Sequence, residues 1–584
     1  MPSVCHKLRR PLVRCQRGAG SMLLTALLTA AVLLPGLSSP ATLFAAHQAQ
    51  GKRGMVVAVS PPAVEVGAQV LKDGGTAVDA AVAVALAMAV TWPEAGNIGG
   101  GGFMMVHPGP GEEPACIDYR ETAPAAARRD MFRLGESRFS RKISGVPGTV
   151  AGLALAHEKY GKLPWKRLVT PAVQLAAEGF EVDASLAGSL NRVLQDKASQ
   201  DFPEMLRVFS NPEGRPWKAG DRLTQPDLAR TLAAIAERGP AGFYQGEVAE
   251  KLVAEMKAGD GIITLDDLAA YRAKIRRPIH GTFRGYDVYG PPPPSSGGIC
   301  VVQMLNVLER FDLKSQGRYS AKTLHLIIEA MRRAFLDRAR YLGDADFIDI
   351  PAHLTTQEYA ARLAAGIDPS RATRSEDLAA DLPLVSEGDS TTHFSVVDGS
   401  GMAVSNTYTL EYSFGSRVVV RGAGFLLNNE MGDFNWKAGH TDNRGNIGTQ
   451  ANLIMPGKRM LSSQSPMLVA RDGKVRLVTG SPGGRTIINT SLCVVLNVLE
   501  FEMPLDEAVA APRLHHQWLP DLVRFEGAGD AKYREALDTL RAMGHKVSPQ
   551  PVEQGDAHSI WIDPATGTYH GVADDRRGGA AAGF

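Results

Sequence analysis

The clearest hydrophobic–polar pattern in the chain starts at Thr392. Phe394 and Val396 alternate with polar neighbours, as along a half-buried strand. Asp398-Gly399-Ser400-Gly401 supplies a turn, and residues 402–409 read as the returning strand. Upstream, residues 62–72 carry a helical repeat, with Pro near the start and Gly74-Gly75 at the end. Residues 80–90 are nearly all Ala, Val, Leu and Met. With Thr76 or Asp79 as cap, they predict a helix buried on every side. Strands are expected near 103–106 and 116–119. Apolar spacing of three and four predicts helices over 148–160, 168–178, 184–194, 225–238, 248–257 and 265–271. Strand-like residues return at 278–289, and a Pro-rich turn from Pro291 leads to a helix from Ile299. Further helices are expected over 319–342 and 357–365. Residues 368–390, with Pro369, Pro383 and several acids, read as an exposed linker. Beyond it, strands are expected at 424–428, 464–471 and 474–479, helices over 486–501 and 533–543, and a final hairpin of 559–562 with 568–572. Strands and helices interleave on both sides of Thr391, which predicts one layered α/β unit.

Composition narrows the class. The 584 residues hold 63 Lys plus Arg against 62 Asp plus Glu, so no electrostatic case for nucleic acid arises. The N-terminus departs from this balance. Lys7, Arg9, Arg10, Arg14 and Arg17 precede an apolar core over 22–34, then Pro35-Gly36 and small residues. That is the layout of a secretory leader spanning residues 1–49, with a core short for a stable membrane span. The expected location is periplasmic or secreted. Past the leader only Cys116, Cys300 and Cys493 remain, which make neither a disulfide framework nor a zinc site. Gly99-Gly100-Gly101-Gly102 is followed by a strand and no Gly-Lys-Ser/Thr, so it reads as close backbone packing beside a pocket, not as a phosphate loop.

The candidate chemistry sits where the linker enters its strand. Breaking the chain between Ser390 and Thr391 would give Thr391 a hydroxyl and a free amine together. A terminal amine has a pKa of about 7.7–8 and can act as the base for its own hydroxyl. On those residues alone, an ordinary hairpin is the competing reading.

Several blocks, in order, decide between them. Thr391-Thr392-His393-Phe394-Ser395-Val396-Val397-Asp398, Leu461-Ser462-Ser463 and Gly480-Ser481-Pro482-Gly483-Gly484 are the most specific. Asp118-Tyr119-Arg120-Glu121, Gly145-Val146-Pro147-Gly148 and the run from Asn428 to Phe434 support them. From about residue 54 to 583 the chain resembles the gamma-glutamyltranspeptidase family of N-terminal-nucleophile hydrolases. The resemblance implies a four-layer αββα sandwich. It also implies a precursor that cleaves itself into a large chain, 50–390, and a small chain, 391–584, which stay together as a heterodimer. It implies Thr391 as nucleophile, Thr409 as its hydrogen-bonding neighbour, and the N–H groups of Gly483 and Gly484 as oxyanion hole. Arg120, with Ser462 and Ser463, would hold the α-carboxylate of a γ-glutamyl substrate such as glutathione, and Glu430 and Asp433 its α-ammonium. Water, an amino acid or a dipeptide would accept the acyl group, and no metal or organic cofactor is expected. Glu411 departs from the family's best-known members, which carry Asn there. An acid at 411 either accepts from the ammonium or repels the carboxylate. Trp436, Asn446 and Asn452 are candidates for a lid. The rival readings are a glutaryl-cephalosporin acylase or polyglutamate-processing relative, whose acylase branch lacks an ammonium to bind, and a catalytically silent binding protein.

Overall fold

A computed structural model of the chain describes residues 47–378, 384–385, 390–442 and 446–584. All but the last three residues of the expected leader lie outside these. Among the described residues no helix is long and apolar enough to cross a membrane.

Two seven-stranded sheets form the centre, with every neighbouring pair antiparallel. The first runs Ala580–Gly583, Gly54–Ala58, Ser390–Asp398, Ala403–Glu411, Gly101–His107, Ala115–Asp118, Lys274–Arg276. The second runs Gln48–Gly51, Tyr569–Val572, Ser559–Ile562, Lys474–Thr479, Met467–Arg471, Tyr286–Gly290, Ile279–Phe283. The period-two alternation assigns the faces. Phe394, Val396, Val404 and Tyr408 point from the first sheet into a helical layer that includes Ala77–Thr91. Val397, Ala403, Phe103 and Met105 point the other way and meet Leu468, Val475, Val478 and Ile560 of the second sheet. That sheet's outer face packs on Gly297–Leu308, Ala321–Tyr341 and Thr486–Leu499. The layers are therefore helix, sheet, sheet, helix, the αββα sandwich that the resemblance implies.

Every residue of Ala77–Thr91 is buried, as its all-round apolar composition demands. Both proposed caps are used: Thr76 accepts from the Asp79 N–H while Asp79 accepts from the Thr76 N–H, a reciprocal capping box. Cys493 is buried in the second helical layer.

Four expectations change. Residues 424–428 make no strand; Gly424 has φ +77°, and the only pairing there is an isolated bridge between Val419 and Leu426. The hairpin Ser559–Ile562/Tyr569–Val572 is not final, because Ala580–Gly583 returns to pair with Gly54–Ala58. A helix, Pro203–Phe209, went unrecognised although Pro opens it. The described part of the linker is not all exposed. Ser375 is fully buried, its hydroxyl donates to the Trp518 carbonyl, and Trp518 Nε1 donates back to the Ser375 carbonyl.

Candidate functional site

The site grows from the end of the first sheet where Thr391 and Thr409 face each other. Ser390 pairs with Glu411 and Thr392 with Tyr408, so Thr391 stands against two residues, Thr409 and Leu410. Such a bulge re-aims side chains beside it. The structure holds the intact chain through Ser390–Thr391. In it the buried Thr391 hydroxyl donates to Thr409 Oγ1 at 3.4 Å, and Thr409 Oγ1 accepts from the Glu411 N–H at 2.8 Å. Glu411 closes the bulge with φ +79°, a left-handed conformation that non-glycine residues seldom adopt.

The glycine run packs directly beneath. A Cβ on Gly100 would lie 2.0 Å from the Thr409 carbonyl, and one on Gly101 would lie 2.7 Å from Glu121 Oε2. Asn97 completes the support, donating to the Thr409 carbonyl at 2.9 Å and accepting from the Gly100 N–H.

Nearer Thr391 the inter-sheet side of the same strand is polar. His393 contacts Thr407 Oγ1 at 2.8 Å and Ser395 Oγ at 3.1 Å, and burial holds its imidazole well below the usual histidine range, hence neutral. Gly480 lies against this ring, since a Cβ there would come within 2.4 Å of it. The loop carrying Gly483 and Gly484 is thereby seated beside the Thr391 strand. Gly483 and Gly484 have φ +125° and +55°, which glycine alone adopts freely. The Gly483 carbonyl accepts from the Thr486 N–H and hydroxyl, fixing the loop to the N-terminus of Thr486–Leu499, an end that favours developing negative charge.

Arg120 follows the strand Ala115–Asp118 and is buried to 1% exposure. Its Nη2 lies 2.7 Å from Glu430 Oε2 and 2.5 Å from Asp433 Oδ2, and its Nη1 lies 3.5 Å from Glu121 Oε2. Glu430 and Asp433 share one short 3₁₀ turn, Glu430–Asp433. Neither Glu430 oxygen has an aligned hydrogen-bond donor, and neither has Glu121. Burial pushes Glu430 well above the usual carboxylate range and Glu121 up to about 8, with the Arg120 charge opposing both. Asn428 ties this turn to the rest: its Oδ1 accepts from the Gly145 and Glu430 N–H groups, and its Nδ2 donates to the Gly99 and Gly145 carbonyls.

Ser462 and Ser463 are buried and are joined to the surrounding frame. The Ser462 carbonyl accepts from the Ser296 hydroxyl, its own Oγ accepts from the Gln464 N–H, and Ser463 Oγ accepts from Arg338. Trp436 and Asn452 are buried and tied to the Glu430–Asp433 turn: Asn452 Nδ2 donates to the Asp433 carbonyl and Trp436 Nε1 to the Met431 carbonyl. The Asn446 side chain lies outside the described residues.

Sequence reasoning missed Arg138. Its Nη1 donates to Glu411 Oε1 at 3.0 Å and to the Gly432 carbonyl at 2.8 Å. No motif marks it.

Among the described residues one group has a metal-like arrangement, His325, Glu329 and His545. Its carboxylate is already held by Arg332 and Arg333 and by the Thr373 N–H, while the two imidazoles hydrogen-bond each other at 2.8 Å. That arrangement fits a structural anchor for the segment near Ser375 better than an ion.

The whole of residues 63–584 matches the family model described as gamma-glutamyltranspeptidase. A glutathione hydrolase proenzyme of Escherichia coli (strain K12) is 46% identical over 540 residues, covering 91% of each chain. A solved cephalosporin acylase from Bacillus halodurans superposes with TM-score 0.80 at 27% identity, over 95% of this chain and 99% of that one. A solved gamma-glutamyltranspeptidase from Helicobacter pylori gives TM-score 0.52 at 40% identity, over 54% of this chain and 91% of that one.

Proposed function

Since the chain belongs to the gamma-glutamyltranspeptidase family, we propose that it is a self-processed γ-glutamyltransferase and glutathione hydrolase with Thr391 as nucleophile. The precursor breaks between Ser390 and Thr391. The freed amine takes the proton of its own hydroxyl, and the oxygen attacks the γ-carbonyl of a γ-glutamyl amide. The Gly483 and Gly484 N–H groups stabilise the resulting oxyanion, a contribution of roughly 3–4 kcal/mol per donor. Collapse expels the amine, which leaves with the proton, and an ester on Thr391 remains. Water hydrolyses it, or the amine of an amino acid or dipeptide takes the acyl group. Thr409 holds the hydroxyl in line.

The observation that carries this reading is the buried cluster of Arg120, Glu430 and Asp433. It sets a guanidinium beside two carboxylates, and Glu430 has no aligned donor. A ligand bearing both a carboxylate and an ammonium satisfies both signs at once, and the α-carbon of a γ-glutamyl group carries that pair. Glu411 reaches the same turn, since a Cβ on Gly432 would lie 2.7 Å from its Oε2. Ser462 and Ser463 support the carboxylate end. The glutaryl-acylase reading has the similarity to a cephalosporin acylase in its favour, but it gives Glu430 and Asp433 no ligand charge to meet. The basic and then apolar N-terminus supports export of the mature heterodimer to the periplasm or outside the cell.

Thr391→Ala is expected to leave a single uncut chain with no γ-glutamyl anilide hydrolysis. N-terminal sequencing of the wild type should find a fragment beginning at Thr391. A cut Thr391→Ala chain, or faster release from a glutaryl than from a γ-glutamyl anilide, would overturn the assignment.

A further inference from the structure

Glu411 is the acid that the chemistry of the pocket finds hardest to accommodate. Its Oε2 lies against Gly432 of the turn that carries Glu430 and Asp433, and the substrate's α-carboxylate would bring negative charge to the same turn. Arg138 meets it with a cation. It reaches in from residues 131–142, 273 positions before Glu411, and bridges Glu411 Oε1 and the Gly432 carbonyl through one nitrogen. It thereby joins the strand end that carries Thr409 to the turn that carries Glu430 and Asp433.

Its position is built, not incidental. The guanidinium lies 4.8 Å over the Trp436 ring and 5.8 Å from the Tyr412 ring. Phe132 stacks on Trp436 at 4.6 Å, and Phe139 meets Tyr412 edge-on at 6.0 Å. The segment is closed by Lys142, which donates to the Met131 carbonyl and pairs with Glu136. The Arg138 side chain is 19% exposed and Glu411 is 3% exposed, so the pair is poorly screened by water.

We propose that Arg138 is a positioning residue for donor recognition: it neutralises Glu411 and fixes it against the Glu430–Asp433 turn, so that the pocket admits the substrate's α-carboxylate. This rests on the γ-glutamyl reading above. Arg138 touches no reacting atom, and its loss acts on capture of the donor rather than on acyl transfer.

The test is steady-state hydrolysis of a γ-glutamyl anilide by mature two-chain enzyme. Arg138→Ala is expected to raise KM about tenfold, with kcat within about twofold. Adding Glu411→Gln to that variant removes the carboxylate that Arg138 no longer meets and should recover most of the lost KM, a coupling that a purely packing role would not show. Should Arg138→Ala fail to mature, Arg138→Lys is compared with Arg138→Gln, and lysine should give the lower KM. An unchanged KM in Arg138→Ala, a raised KM that Glu411→Gln leaves in place, or equal values for lysine and glutamine would overturn the inference. An active wild type with insensitive variants refutes this inference alone, whereas a wild type without γ-glutamyl hydrolysis removes the parent reading and this one with it.

Discussion

At the scale of single residues, the pocket is a problem in charge compensation. Glu430 and Glu121 are carboxyl groups taken out of water, and Arg120 is the cation that makes their burial tolerable. Arg120→Lys keeps the charge but loses the planar fork that meets Glu430 and Asp433 through one nitrogen and Glu121 through the other. It is expected to raise KM for a γ-glutamyl anilide about tenfold or more, with a smaller change in kcat; an unaltered KM would remove Arg120 from donor binding. Thr391, Arg120, Glu430 and Asp433 were legible because blocks of ordered residues carry them. Arg138 was not, because its partner is remote in sequence and an arginine in an irregular loop resembles any solvated one. The bend at Glu411 was hidden for a related reason. Glutamate rarely takes positive φ, and only the bulge opposite Thr391 imposes it.

At the scale of elements, most helices and paired strands were readable from periodicity, and the failures have physical causes. Ala580–Gly583 is Ala-Ala-Ala-Gly, which alternates nothing and becomes a strand only by pairing with Gly54–Ala58. The segment before the scissile bond reads as a linker from composition, yet residues 366–375 of it are tied to the helix Ala321–Tyr341. Gly366 accepts from Arg333, Asp368 from His325, and Ser375 from Arg332. His545 belongs to this anchor, and burial together with the neighbouring His325 holds it down to about 3. In the unfolded chain a histidine takes its proton near pH 6.5. Between those values the unfolded state binds more protons. The stability from keeping His545 neutral is therefore complete above about pH 6.5 and lost toward pH 3, at about 1.4 kcal/mol per pH unit. His545→Gln can still donate to His325 but does not titrate. Its thermal midpoint should fall less than the wild type's between pH 7 and pH 5; parallel declines would dismiss the anchor as an acid-sensitive element.

At the scale of the whole molecule, each sheet draws strands from both sides of position 391. In the first, Ser390–Asp398 lies between Gly54–Ala58 and Ala403–Glu411. In the second, four strands from the C-terminal part lie between Gln48–Gly51 and Tyr286–Gly290. Once the 390–391 bond breaks, neither product can leave without opening two sheets and the core between them. The two fragments should co-elute on size exclusion in native buffer and separate only in denaturant; native separation would contradict the shared core. This interleaving was inferable from the order of elements, whereas the pairing of Gln48–Gly51 with Tyr569–Val572 was not, because four polar or small residues give no periodic signal.

The Phe584 carbonyl accepts from the Lys52 and Arg53 N–H groups, both at 2.9 Å. Phe584 thus sits beside the strands Gln48–Gly51 and Gly54–Ala58, and a short flexible bridge from it to Gln48 would give a circular permutant opened at 390/391. Translation would then start at Met-Thr391, and an aminopeptidase that trims the initiator would bare the threonine amine. Such a protein would turn over substrate without ever having cut itself, so that mutations harmful to maturation could be scored for catalysis separately.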